Sequence, residues 1–240
     1  MSGALLEAGA ARQDLYSIHL KQDELALKMG GGIPRGSTML IEGGEGSGRS
    51  VLSQRILYGL LANGYTATYV STEMTLRDFI DQMYSLEYKV DKYLLSGAFQ
   101  YFPVYPLLGK SRNRSDFLLK LMTSPQLYSK EILIIDSFST LTKDSLDERN
   151  CIQYMGFLKK QMKLDKTILM TTDETCKAVD PLRQASDIYM AIKMKPSGQG
   201  MVRMVNIMRY QRAKHKVDDQ MKIRIEPGIG LVIEITEVSG

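Results

Sequence analysis

The sequence predicts an α/β protein: a mainly parallel sheet with helices on both faces and an antiparallel C-terminal extension. Three observations predict it. Short apolar strands alternate with helical segments between residues 37 and 172, the pattern of a parallel sheet with crossover helices. Two strands, STMLIE (37–42) and EILIID (131–136), are near-continuous apolar runs, as strands covered on both faces are. After residue 185 helices cease, and DIYMAIKM, MVRMVNIMRY, QMKIRIEP and GLVIEITE follow one another through the turns PSGQG and PGIG.

The elements can be justified in order. Residues 1–16 begin with small and polar residues and are expected to form a flexible N-terminus, with 17–240 a single domain. YSIHLKQDELALKM (16–29) reads as a strand and a helical turn, closed by GGGIP (30–34). After strand 37–42, RSVLSQRILYGLLANG (49–64) carries apolar residues at 52, 56, 57, 60 and 61, a helical period, and stops at Asn63-Gly64. TATYVS (66–71) is a strand, LRDFIDQMYSLEY (76–88) a helix and AFQYFPV (98–104) a strand; SRNRSDFLLKLMTS (111–124) runs from loop into helix. Beyond EILIID come an amphipathic helix (145–165) and a buried strand, TILMTT (167–172).

Composition narrows the function. The chain has 240 residues, 44% of them hydrophobic, which is ample for a core. Its net charge of +4 is mild for a nucleic-acid binder, so DNA binding gains little support. Cys151 and Cys176 lack C-x-x-C spacing, which argues against zinc or a disulfide framework and for a reduced, intracellular setting. No apolar stretch is long enough for a membrane span, and the start lacks the pattern of a secretory signal.

The chemistry concentrates at GGEGSGRS (43–50), a phosphate-binding loop with arginine in the lysine position. Lying between a strand and a helix, it supplies glycine turns, backbone N–H groups and the positive end of a helix to phosphate oxygens. Gly43, Gly44, Glu45, Gly46, Ser47, Gly48, Arg49, Ser50 and Val51 are therefore the expected nucleotide-binding positions, with a nucleoside triphosphate and Mg²⁺ as ligands and Ser50 the magnesium-directed hydroxyl. Arg49 can grip phosphate with its planar fork. A fork that grips ground state and transition state alike binds without accelerating hydrolysis. Glu45 repels phosphate unless it points outward or is paired.

Asp136 ends its apolar strand and is the expected second magnesium partner, through water. Ser137 stands where many P-loop ATPases carry a catalytic glutamate. The candidate base is therefore Glu73, just beyond strand 66–71, since strand C-termini line one crevice. Thr171 and Thr172 end a further strand at that edge, placed to sense phosphate or position water. MRYQRAKH (208–215) reads either as a solvated basic hairpin end or as a cationic finger, led by Arg209, toward phosphates on an adjacent subunit. His19 and His215 lack ligand partners and are read as non-ligands.

Together GGGIPRGSTMLIEGGEGSGRS (30–50), VSTE (70–73), ILIIDS (132–137), MRYQRAKH and IEPGIGLVIE (225–234) resemble the RecA superfamily and, within it, the KaiC-like ATPases. The likeness spans roughly residues 17–237 and is greatest to single-domain members that serve the archaeal flagellum (archaellum) motor. It implies a RecA-like P-loop core, ATP binding and a homo-oligomeric, hexameric ring. It also implies docking with the motor ATPase and cytoplasmic motor ring proteins at the cytoplasmic face of the membrane-embedded motor, with hydrolysis weak or absent. By the same resemblance Glu73 takes the catalytic glutamate position, Asp136 the Walker B aspartate, Ser50 the magnesium hydroxyl and Arg209 the trans finger. Two departures, Arg49 for the Walker A lysine and Gln211 for the second finger charge, favour an assembly factor. The alternatives are an active ATPase or autokinase, and a DNA-binding recombinase accessory.

Overall fold

The computed structural model describes residues 14–104, 117–143, 145–197 and 200–234. It opens with β1 (Leu15–Tyr16), a single helical turn α1 (Leu25–Lys28), and β2 (Ile33–Pro34), which pairs antiparallel with β1. Then come β3 (Thr38–Gly43), α2 (Arg49–Ala62), β4 (Ala67–Ser71), α3 (Leu76–Ser85), α4 (Asp91–Leu95) and β5 (Phe99–Pro103). The middle adds α5 (Phe117–Thr123), β6 (Ile132–Asp136), α6 (Phe138–Thr142), α7 (Glu148–Lys163) and β7 (Thr167–Thr172). After α8 (Asp180–Ala185) follow β8 (Ile188–Ser197), β9 (Gly200–Tyr210), β10 (Gln220–Glu226) and β11 (Gly230–Glu234).

Among the described residues one nine-stranded sheet runs in the order β11-β10-β9-β8-β3-β7-β6-β4-β5. Neighbours from β8 to β5 pair in parallel, and β8–β9, β9–β10 and β10–β11 pair antiparallel. The mainly parallel α/β core with its antiparallel C-terminal extension is therefore present. One boundary moves. The segment from residue 187, read as the first antiparallel strand, is parallel to β3 on one side and antiparallel to β9 on the other. The short α8 provides the crossover that makes the parallel pairing possible, a connection too brief to carry a clear helical period.

Side chains alternate between two cores because both faces of the central strands are covered. On β3, Met39 and Ile41 join the core under α2, whereas Leu40 joins the core under α5, α6, α7 and α8. β6 divides in the same way, Ile132 and Ile134 against Leu133 and Ile135. All positions of β3, β4, β6 and β7 are buried, which explains why these strands read as apolar runs. Helix α3 starts at a capping box between Thr75 and Asp78, and Asp147 caps α7 by accepting from the Asn150 amide at 2.7 Å.

Helix α2 is buried on several faces, including Ser53, Gln54 and Arg55 beside its apolar stripe. Ser53 faces the sheet at Tyr69, Gln54 lies at Met74, and Arg55 is held by Asp23 and the Ile18 carbonyl, while an outer layer covers a further part of the helix. The tip of the β10–β11 hairpin folds back over the helix, with the Gly228 amide donating to the Ser85 carbonyl (2.8 Å) and Leu231 to the Tyr88 hydroxyl (2.9 Å). Tyr88 in turn stacks on Tyr58 of α2. Gly230, at φ +100°, leaves room for this: a Cβ there would lie 2.7 Å from the Tyr88 hydroxyl.

The expected flexible N-terminus falls largely on residues 1–13, outside the described residues; at its end, Leu15–Tyr16 is instead the paired strand β1, with Tyr16 buried. Residues 111–116 of the loop read before α5 also lie outside them. Among the described residues no helix is long and apolar enough to cross a membrane.

Candidate functional site

Strand β3 delivers the chain to Gly43, and the loop that follows turns tightly enough that the Ser47 amide donates to the Gly44 carbonyl (3.2 Å). Gly48 caps α2 at φ +91°, and a Cβ there would meet Ile225 Cδ1 at 2.8 Å. The left-handed backbone conformation demands glycine there. Helix α2 begins at Arg49, so its unsatisfied first-turn N–H groups face the loop. Glu45 is exposed at the loop's outer edge. The loop is thus a cradle of backbone donors at a helix N-terminus, chemistry suited to phosphate.

Asp136, at the end of β6, is the hub of the polar crevice. Its Oδ1 accepts from Ser50 (3.0 Å) and Thr171 (2.6 Å), and its Oδ2 accepts from Tyr69 (2.7 Å). Ser50 and Asp136, paired by their expected magnesium role, are thus brought together from α2 and β6. A hydroxyl and a carboxylate oxygen side by side are a hard-oxygen pair of the kind Mg²⁺ takes, so the residues fit the ion. Thr171 is buried with its hydroxyl committed to Asp136, so it orients this carboxylate. Tyr69 was not anticipated. Burial, and then the Asp136 charge, raise its pKa well above the usual phenol range, which keeps its proton in place as the donor to Asp136.

Arg49 turns back into the protein. Its Nη1 donates to the Gly43 carbonyl and, at 3.3 Å, to that of Thr172, and lies 3.4 Å from Asp173 Oδ2. Asp173 is held below the ordinary carboxylate range by hydrogen bonds from Thr175 and then by Arg49. The ion pair is partly exposed and long, worth on the order of 0–1 kcal/mol; the backbone acceptors do more to fix the side chain. Part of the Arg49 fork is therefore anchored to the ends of β3 and β7.

Glu73 lies just past β4, its amide donating to Ser71 Oγ at 3.4 Å. Its carboxyl is exposed at the crevice mouth, but its pKa is raised, first by partial desolvation and then by the negative charge of Asp136. Arg49 lowers it and Glu45 raises it, so these four charged groups share one field. The crevice predicted from the strand ends thus gathers Glu45, Arg49, Glu73 and Asp136.

Arg209 does not join them. It pairs opposite Tyr189, near the start of β8, while Gly43 sits beside Ile192 further along that strand. Its Nη1 donates to the carbonyls of Arg183 and Ser186, both at 2.9 Å, at the C-terminal end of α8. A second buried cluster escaped sequence reasoning. Glu42, next to Gly43, accepts from Arg183 Nε and the Tyr189 hydroxyl, each at 2.5 Å, and ties the loop's base to α8 and β8. Only the acidic residue inside an apolar strand hinted at it. Arg203 of β9 also reaches the loop, its Nη2 donating to the Gly46 carbonyl at 3.3 Å, with no local sequence signal at all.

The chain is similar to known proteins over most of its length. A family profile described as "ATPase: KaiC" matches residues 21–237. The chain is 38% identical over 229 residues to the archaeal flagellar ATP-binding protein FlaH of Methanocaldococcus jannaschii, covering 94% of this chain and 98% of that one. It is 24% identical to the protein of the same name from Sulfolobus acidocaldarius, over 88% of this chain and 93% of that one. The crystal structure of flagellar accessory protein FlaH from M. jannaschii superposes with a TM-score of 0.85 at 36% identity, covering 92% of this chain and 100% of that one. A KaiC-like protein of Pyrococcus horikoshii shares the fold alone, at TM-score 0.69 and 19% identity over 89% and 96% of the two chains.

Proposed function

The chain belongs to the KaiC-type ATPase family, and from that premise we propose that it is an ATP-binding component of an archaeal flagellum motor. In this reading it is a nucleotide-dependent, ring-forming scaffold for the motor ATPase, with weak or no hydrolysis of its own. The observation that carries the reading is the glycine cradle at the start of α2 with Ser50 held on Asp136. That arrangement occurs in a chain whose relatives bear the name archaeal flagellar ATP-binding protein over nearly their full length. When bound, magnesium would offset the charge of the phosphates. Ser50 and Asp136 would hold the ion, and the loop amides of residues 44–51 would hold the phosphates.

Slow hydrolysis is supported by three features. Arg49 spends donors on protein oxygens, Ser137 occupies the position after Asp136, and Gln211 stands in place of the second finger charge. Arg209 enters this reading only as a finger toward a neighbouring subunit of a hexameric ring, docked with the motor ring proteins at the cytoplasmic face. ATP that binds the assembled state better than the free one drives assembly in proportion to that difference. Analytical ultracentrifugation is expected to show a larger species with magnesium ATP than without it. A chain that stays monomeric with ATP and also fails to sediment with the motor ATPase would overturn the scaffold reading.

One observation favours a second reading, an active ATPase or autokinase: the raised pKa of Glu73 suits a general base. A carboxyl whose pKa is raised takes up its proton at a higher pH than an ordinary glutamate, so Glu73-dependent turnover falls as pH drops through that raised value and is retained above it. The scaffold reading expects phosphate release near background in wild type and in Glu73→Gln, with ATP binding intact. Turnover abolished by Glu73→Gln, with that acid-side loss, would establish the enzyme instead.

A further inference from the structure

Building on the ATP-binding reading above, we infer that Arg203 is a further nucleotide-binding residue, sharing with Arg49 the charge neutralisation that a P-loop lysine supplies alone. Three observations carry it. First, Arg203 comes to the loop from outside its own motif: β9 places it opposite Met194 and Ile223, and its Nη2 donates to the Gly46 carbonyl. Second, it lies against the last loop glycine. A Cβ built on Gly48 would stand 3.5 Å from Arg203 Cδ and 3.6 Å from its Nε, beside Ile225. Third, Arg203 Nε is buried and has no hydrogen-bond partner among the described residues.

A cationic N–H without an acceptor is costly, which favours a guanidinium that turns toward an anion held at the adjoining loop. Here the unused donor sits at the loop whose chemistry calls for an anion. Arg49, the cation that the motif itself provides, is anchored through Nη1 to Gly43 and Thr172. A guanidinium with a free N–H, supplied by a strand of the antiparallel extension, restores what that anchoring removes. It also binds β9 and β10 to the occupancy of the loop, because Arg203 of β9 and Ile225 of β10 both lie where a Cβ on Gly48 would stand.

The test is calorimetric titration of magnesium ATP and of AMP into wild type, Arg203→Ala and Arg203→Lys, with thermal melting of each without nucleotide. Arg203→Ala is expected to weaken ATP binding roughly 10- to 100-fold, to affect AMP less, and to leave nucleotide-free melting nearly unchanged. Arg203→Lys keeps the charge without the fork and recovers part of the affinity. Wild-type ATP affinity in Arg203→Ala overturns the inference alone. An equal loss for ATP and AMP, matched by a lower nucleotide-free melting temperature, makes Arg203 a mere prop and overturns it too. A wild type that binds no ATP removes the nucleotide reading itself, and this inference with it.

Discussion

Replacing Asp23 with alanine is expected to lower the stability of the fold by about 3–5 kcal/mol, read by urea denaturation. Asp23 and Arg55 form a bidentate pair, Nε to Oδ2 at 2.5 Å and Nη2 to Oδ1 at 2.7 Å, with side chains 2% and 0% exposed. Arg55 also donates to the Ile18 carbonyl at 3.2 Å, and Asp23 accepts from the Leu25 amide at 2.9 Å. The pair locks the segment around α1 onto α2. Its net worth is modest because both charges are desolvated, but removing one partner leaves the other charge stranded in the core. The Asp23→Ala, Arg55→Met double variant should therefore be more stable than Asp23→Ala alone. A loss below about 1 kcal/mol for the single change would mean that water reaches Arg55, and the argument from burial would fail.

Asp136→Asn is expected to weaken magnesium ATP binding by about 10- to 100-fold, the usual cost of disturbing a metal's ligand shell. ATP offered without magnesium should lose far less. The same change is expected to cost about 1–3 kcal/mol of stability. Three hydroxyls, from Ser50, Thr171 and Tyr69, converge on this carboxylate, and an amide offers an acceptor to only part of them. Calorimetry with and without magnesium separates the two effects. An equal loss in both conditions would make Asp136 a fastening of the fold rather than a magnesium partner.

The readable parts of this molecule are those whose reasons are local. GGEGSGRS announces itself because tight turns need glycines in sequence, and Asp136 stands out as a charge ending an apolar strand. Glu73 could be placed at the crevice from topology, since parallel strands must open their C-terminal ends into one crevice. The hidden parts are partnerships across long stretches of chain. Nothing near Glu42 foretells Arg183 and Tyr189, 141 and 147 residues away, and nothing near Gly46 foretells Arg203. The dual pairing of β8 was misjudged for a related reason: its sequence records burial but not the direction of its neighbours. Helix α2 showed an apolar stripe, yet the structure also buries Arg55 against Asp23 and the Ile18 carbonyl and Gln54 beside Met74, and a hairpin far along the chain adds cover through Tyr88, which stacks on Tyr58.

That hairpin bears on the order in which the molecule can be made. The phosphate loop and its helix are complete by residue 62, but the helix acquires its outer cover only when residues 220–234 have been added and paired. Contacts so distant in sequence form late, after the entropy of closing long loops has been met. A growing chain therefore carries the whole motif long before it carries a finished pocket. Under the ATP-binding reading, nucleotide in the loop stabilises residues 43–62 and the later-paired β10–β11 hairpin together.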